Sequence, residues 1–267
     1  MKNIPMDIRA IDKDKINIAN YHTHTKRCMH AQGEDREYVE AAIESGYKIL
    51  GFSDHSPQIS DDGYLSGMRM SPMEFEGYVD SITALAKEYK NDIKIYLGLE
   101  TEYFPAMFER LLKLIEPYPV DYMIMGQHWL YNQVPETVAT KKRTDEQYLK
   151  EYVDQIIEGM KTGYFTYLAH PDVANFVGDV SIYKKHMLRL ASTLKEMNIP
   201  MEINALGYAD NRFYPNKYFL EAVKELEADF VIGVDAHNPE MLRDEARRRG
   251  CMELAEKYGL KVINKVI

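Results

Sequence analysis

The amino-acid sequence predicts a parallel α/β fold, a barrel one βα unit short of the eight-fold form. Three observations lead there. Seven short apolar runs recur along the chain, a longer amphipathic segment follows each, and no linker or composition break divides the 267 residues. Parallel neighbours need a crossover connection, usually a helix, so seven strand–helix units imply parallel pairing. An open doubly wound sheet would give the same string of elements.

The predicted strands fall at residues 16–21, 47–53, 93–99, 121–125, 164–169, 200–204 and 229–234. Helical segments separate them at 35–45, 72–90, 106–116, 144–161, 182–197, 216–227 and 239–258. In the fifth, Leu188, Leu190, Ala191, Leu194 and Met197 recur near the 3.6-residue period. Ser71-Pro72 reads as an N-cap and N1 proline, and Gly259 as the close of the last helix. The repetition is of βα units without residue-level self-similarity, which argues against a solenoid. Residues 1–267 therefore read as a single domain.

Composition narrows the function classes. Hydrophobic residues at 45% and charged residues at 28% exclude disorder, collagen and coiled coil. With 33 Lys+Arg against 42 Asp+Glu the net charge is −9, without the clustered basic excess of a nucleic-acid binder. Cys28 and Cys251 cannot build a disulfide framework and fit a reducing compartment. Residues 1–20 break their apolar positions with charge, so they read as neither a signal peptide nor a membrane span. The expectation is a cytoplasmic protein with a small-molecule substrate, engaging neither nucleic acid nor membrane.

The histidines carry the functional signal. Of eight, only His186 lies away from the C-terminal ends of the predicted strands. His22, His24, His55, His128, His170 and His237 sit at or just past those ends, and His30 lies in the first βα loop. The third strand ends instead in Gly98-Leu99-Glu100-Thr101-Glu102, and the last in Val234-Asp235-Ala236-His237. In parallel α/β folds that edge is where sites assemble. His22 and His24, i and i+2 on a strand, face the same side and can share one ion. Imidazole suits zinc, iron and related metals, and a carboxylate can bridge two ions. A catalytic zinc takes about three protein ligands, so seven histidines with Glu100 and Asp235 make about three ions' worth of donors. Three divalent ions over two carboxylates leave a positive surplus that favours an anion such as a phosphate monoester. Ions ~3.5–4 Å apart can hold both attacking and leaving oxygens, and metal-bound water loses its proton near neutral pH. Individually, His30 also reads as a loop histidine and His170 as a cap partner of Asp172.

These residues resemble the PHP (polymerase and histidinol phosphatase) superfamily: the opening His22, His24 and His30, the Ser53-Asp54-His55 and Gly98-Leu99-Glu100 blocks, His128, His170 and the closing Asp235-Ala236-His237. The resemblance implies a single PHP domain, a distorted (β/α)7 TIM-like barrel with up to three zinc, iron or manganese ions at its C-terminal rim. It assigns one ion to His22, His24, Glu100 and Asp235, a second to Glu100, His128 and His170, and a third to His30, His55 and His237. Within the superfamily the chain looks most like the histidinol-phosphatase type, from the form of residues 22–33, Glu202-Ile203-Asn204 and Tyr214-Pro215. That implies hydrolysis of L-histidinol phosphate by a metal-bridging hydroxide, with a nucleotide, sugar phosphate or phosphotyrosine as the alternative substrate class. Tyr208 stands where that type often carries a phosphate-binding arginine, and Arg212 lies four residues on.

Other residues have competing readings. Arg212 is a phosphate clamp or a loop arginine. Asp235 is a metal ligand and a candidate proton shuttle to the leaving alkoxide. Asp54 can orient an imidazole through its second nitrogen. Cys28 is a buried thiol or a ligand, and Trp129 is packing or a wall of the substrate pocket. Lys141-Lys142-Arg143 reads as solvated, and Arg247-Arg248-Arg249 as a solvated helix face or a phosphate patch.

Overall fold

Side chains alternate across each strand, and two apolar clusters mark the two faces of the sheet. A computed structural model describes residues 18–57, 59 and 66–267. Its strands are β1 (Ala19–Asn20), β2 (Ile49–His55), β3 (Lys94–Thr101), β4 (Tyr122–Met125), β5 (Tyr167–Leu168), β6 (Met201–Asn204), β7 (Asp229–Gly233) and β8 (Lys261–Val262), all parallel and paired in chain order. Tyr21, Ile49, Tyr122, Ile124, Tyr167 and Val231 pack on one face, the barrel interior. Leu50, Phe52, Leu97, Leu99, Met123 and Phe230 pack on the other, against helix residues such as Tyr38, Ile82, Leu149 and Leu190. Burial on both faces accounts for the near-continuous apolar strands; β2 is buried along its whole length.

The helices are α1 (Asp35–Glu44), α2 (Phe75–Glu88), α3 (Pro105–Ile115), α4 (Glu146–Lys161), α5 (Val180–Glu196), α6 (Ala205–Ala209), α7 (Lys217–Val223), α8 (Pro239–Arg243) and α9 (Glu245–Tyr258). Side-chain caps open several: Asp145 accepts from the Gln147 N–H, and Asp179 from those of Ser181 and Ile182. Gly259 closes α9 in the left-handed region at φ 65°, as expected. Ser71-Pro72 does not open a helix; it leads a turn in which the Glu74 carboxylate accepts from Ser71, and α2 starts at Phe75. The segment 239–258 is two helices, because Asp244 ends α8 and its carboxylate caps α9.

The barrel closes differently at its two ends. At the C-terminal rim the chain after β1 meets the chain after β7: Thr23 bridges Ala236, with His24 N–H donating to Ala236 O at 2.9 Å. At the opposite end β8, absent from the expected seven, pairs with the start of β7. Asn264 then accepts from the Ile18 N–H at 3.1 Å and from the Tyr21 hydroxyl at 3.3 Å, tying β8 to β1. Among the described residues, seven strands thus frame the rim and an eighth fills the base. Of the strand expected at 16–21, residues 16 and 17 lie outside the described residues, as do residues 1–17 of the leader reading. Among the described residues no helix is long and apolar enough to cross a membrane.

Candidate metal centre

On β2, β3, β4 and β7 the inward-facing positions continue upward into the site. His55 ends β2 directly opposite Glu100 of β3, and its Nδ1 lies 3.0 Å from Glu100 Oε2. His22 and His24 flank the Thr23 bridge, with ring centroids 5.2 Å apart. His128 follows β4, His170 follows β5, Asp235 and His237 follow β7, and His30 comes from the loop after the 3₁₀ turn Lys26–Cys28. The seven imidazoles form a closed circuit. In the order 170, 22, 24, 237, 30, 55, 128 and back to 170, successive centroids are 5.7, 5.2, 4.2, 4.8, 5.3, 5.6 and 4.6 Å apart. Glu100 stands within that circuit, 2.9 Å from His170 Nε2, 3.5 Å from His24 Nε2, 3.6 Å from His22 Nε2 and 3.8 Å from His128 Nε2. Asp235 Oδ1 lies 3.1 Å from His24 Nε2 and 3.5 Å from His22 Nε2.

Outer partners aim the rings. His22 Nδ1 lies 2.8 Å from Glu202 Oε1, His128 Nδ1 3.1 Å from Glu102 Oε1, His30 Nδ1 2.7 Å from Cys28 O, and His237 Nδ1 2.9 Å from Asp235 O. Each of those oxygens can only accept when ionised or carbonyl, so Nδ1 carries the hydrogen and Nε2 of the neutral ring offers a lone pair. For His22 that lone pair faces the oxygens of Glu100 and Asp235 in a fully buried space, and His22 Nε2 and Glu100 Oε2 have no hydrogen-bond partner. Lone pairs and carboxylate oxygens at such separations repel unless a cation lies between them. The donor set therefore fits metal ions.

Electrostatics agree. Burial opposes charge on His22, yet Glu202, Asp235 and Glu100 together outweigh it and hold its pKa well above the usual value. Burial alone would raise Glu100, but the surrounding imidazoles, His55 and His22 foremost, hold it well below the usual carboxylate range. Burial and then His24 push His237 down to about 4. Without a cation, protons settle where the carboxylates converge, the position in which a metal competes with them.

Ligand atoms converge in overlapping triads: His22, His24 and Asp235; His22, Glu100 and His170; His24, His55 and His237; Cys28, His30 and His237; and His24, Cys28 and Asp54. Two differences from the expected sets follow. His22 joins Glu100 and His170, whereas His128 stands farther off, and His24 rather than His30 converges with His55 and His237. Cys28 is fully buried among these groups. Asp54 faces His24, its Oδ1 3.5 Å from Nδ1, rather than the ring of neighbouring His55. His170 does not act as a cap partner of Asp172; its ring meets Glu100, while Asp172 accepts from the Asn216 N–H at 2.5 Å.

Strain marks the same place: His170 at φ 28° and Asp235 at φ 54° are left-handed without being glycine. Sequence reasoning missed the roles of Glu102 and Glu202. Glu202 accepts from the His170 N–H and the Asn204 side chain, both at 2.9 Å, besides facing His22. Its position on β6, inward and two residues before the strand end, was the available signal.

Above the cluster opens a cavity of about 480 Å3. Arg212 and Arg247 line it together with Tyr214 and Asp210. Trp129 does not; it is buried beneath Arg69, whose guanidinium lies 5.7 Å from the ring. Lys141 and Lys142 are exposed as expected, but Arg143 is only half-exposed, over the Tyr148 ring at 4.0 Å. The solvated-face reading fails for two of three arginines on α9: Arg247 lines the cavity and Arg248 is buried. His186, buried on α5 against Glu146, stands apart from the site.

Fold and cluster together define an α/β barrel with a metal-type site at its C-terminal rim. The profile of the PHP domain matches residues 20–206, and the chain belongs to that family. A probable histidinol-phosphatase of Deinococcus radiodurans is 28% identical over 229 residues, covering 83% of this chain and 87% of its own length. The histidinol-phosphatase of Bacillus subtilis is 23% identical over 248 residues, covering 81% and 92%. Among solved structures, histidinol phosphate phosphatase from Lactococcus lactis, complexed with zinc, L-histidinol and phosphate, superposes with a TM-score of 0.72 at 21% identity, covering 93% of this chain and 96% of that one.

Proposed function

We propose that this protein is a metal-dependent phosphomonoester hydrolase acting on L-histidinol phosphate, releasing L-histidinol and phosphate. The observation that carries the reading is the closed circuit of seven imidazoles around Glu100, open to a cavity with two arginines on its wall. The relatives named histidinol-phosphatase support the choice of substrate.

The nine donors are His22, His24, His30, His55, Glu100, His128, His170, Asp235 and His237, and they would hold up to three zinc, iron or manganese ions. When bound, such ions supply Lewis acidity toward phosphoryl oxygens and lower the pKa of water. The chain's own groups do the rest. Glu100 turns Oε1 toward His170 and Oε2 toward His24 and His55, so it would be the carboxylate shared between ions. Glu202 and Glu102 fix the tautomers of His22 and His128. Asp235 lines the cavity, and its second oxygen accepts from Asn204 at 3.1 Å; held there as a carboxylate, it would take a proton from the attacking water and pass it to the leaving alkoxide. Arg212 meets the phosphoryl group from the cavity wall.

The test is phosphate release from L-histidinol phosphate against nucleoside monophosphates, sugar phosphates and phosphotyrosine, before and after chelation. The expected result is the highest specificity constant for histidinol phosphate, activity lost to chelator and restored by metal. Higher constants for another ester would move the substrate assignment to that class; chelator-resistant activity would overturn the metal-dependent reading.

A further inference from the structure

Two cations reach the cavity from segments that supply none of the nine donors: Arg212 from the chain after α6, and Arg247 from the first turn of α9. Among the described residues lining the cavity, only these two carry a fixed positive charge. One carboxylate stands between them. Asp210 Oδ2 lies 3.2 Å from Arg212 Nη2, and its Oδ1 lies 3.4 Å from both Nη1 and Nη2 of Arg247. The far edge of each guanidinium is anchored: Arg212 Nη1 donates to the Tyr214 hydroxyl at 3.0 Å, and Arg247 Nε to Asp244 at 3.0 Å. A cation in the first turn of a helix opposes the helix dipole, so helix stability does not account for Arg247 there.

We propose that Arg247 is a second phosphate-binding residue, acting with Arg212 as a two-guanidinium clamp on the phosphoryl group of the substrate. This rests on the phosphatase reading above and adds α9 to the site. Asp210 holds the two guanidiniums at the wall with long contacts. A phosphate dianion carries more charge and three oxygens, so it displaces the single carboxylate and takes the forked N–H donors. Asp244 keeps the Arg247 stem in place throughout, because it binds Nε and leaves both terminal nitrogens to the ligand.

The experiment titrates inorganic phosphate into the metal-loaded full-length chain by calorimetry and measures steady-state hydrolysis in parallel. Arg247→Ala should weaken phosphate binding about ten-fold and raise KM similarly, as loss of a charge-assisted contact does. Arg247→Lys, which keeps the charge but not the fork, should fall between. Asp210→Asn should tighten phosphate, because the competing carboxylate is gone. Arg249→Ala, an exposed arginine paired with Glu245 on the same helix, should leave phosphate binding unchanged. Phosphate bound by Arg247→Ala as tightly as by wild type would overturn the clamp. Should Arg247→Ala fail to fold, Arg247→Lys with wild-type phosphate affinity and KM would do the same. A wild type that binds phosphate but hydrolyses no ester would sink the phosphatase reading instead, with the clamp still decided by calorimetry.

Discussion

Gly126, on the chain leaving β4, lies so close to Glu100 that a Cβ there would stand 1.8 Å from Oε1. No side chain fits without driving the carboxylate out of the imidazole circuit. Misplacement of a catalytic group by about 1 Å can cost about 100-fold. Gly126→Ala is therefore expected to lower kcat/KM by about 100-fold or more and to reduce bound metal, read by elemental analysis; wild-type turnover with full metal would contradict the placement of Glu100. Gly233 plays the same part beneath Glu202, where a Cβ would come 1.7 Å from Oε1. The convergence of these side chains was legible because the strand ends are local in sequence and the rim they share follows from parallel topology. The carboxylates behind them were not. Glu102 and Glu202 look like ordinary acidic residues until folding places them against His128 and His22, contacts that span 26 and 180 residues.

At the scale of one helix, α9 shows why a charge run misleads. Successive residues of an α-helix point about 100° apart, so three adjacent arginines cannot share a face. Arg247 turns to the cavity, Arg249 to solvent and Glu245, and Arg248 into the core, where its guanidinium lies 4.2 Å from the Tyr47 ring and donates to Ser45 O at 3.1 Å. Arg248 thereby pins α9 to the end of α1. Arg248→Ala leaves the Ser45 carbonyl without that donor and a void over Tyr47, a loss of about 1–3 kcal/mol. Urea unfolding is the measurement, and an unchanged midpoint would show that α9 docks without it. The helix boundaries were legible where a cap residue or a glycine sits, as at Gly259. The break at Asp244 was not, since an aspartate within a periodic run signals nothing until its carboxylate accepts from Ala246 and Arg247. Likewise β8 is two residues long, too short for any periodicity to show.

The whole molecule stores a pH dependence in its aromatic interior. Buried phenol hydroxyls on both faces of the sheet donate to backbone carbonyls: Tyr122 to Tyr21 O at 2.7 Å, Tyr78 to Gly98 O at 2.8 Å and Tyr152 to Gln127 O at 2.6 Å. Each bond requires the phenol to keep its proton, and burial holds the pKa of Tyr78, Tyr122, Tyr152 and Tyr167 well above the usual value. In the unfolded chain the same phenols ionise near pH 10. Below that pH both states hold the proton and the buried tyrosines contribute in full. Above it the unfolded state binds fewer protons, so stability falls by up to about 1.4 kcal/mol per pH unit for each such phenol. Four together remove about 6 kcal/mol one unit above pH 10, comparable to the whole stability of many domains. The thermal midpoint should therefore stay level to about pH 9 and fall steeply beyond it, with phenolate absorbance rising in step with loss of circular dichroism. Reversible ionisation of all 20 tyrosines in a chain that remains folded would mean that these buried hydroxyls are not sealed from water.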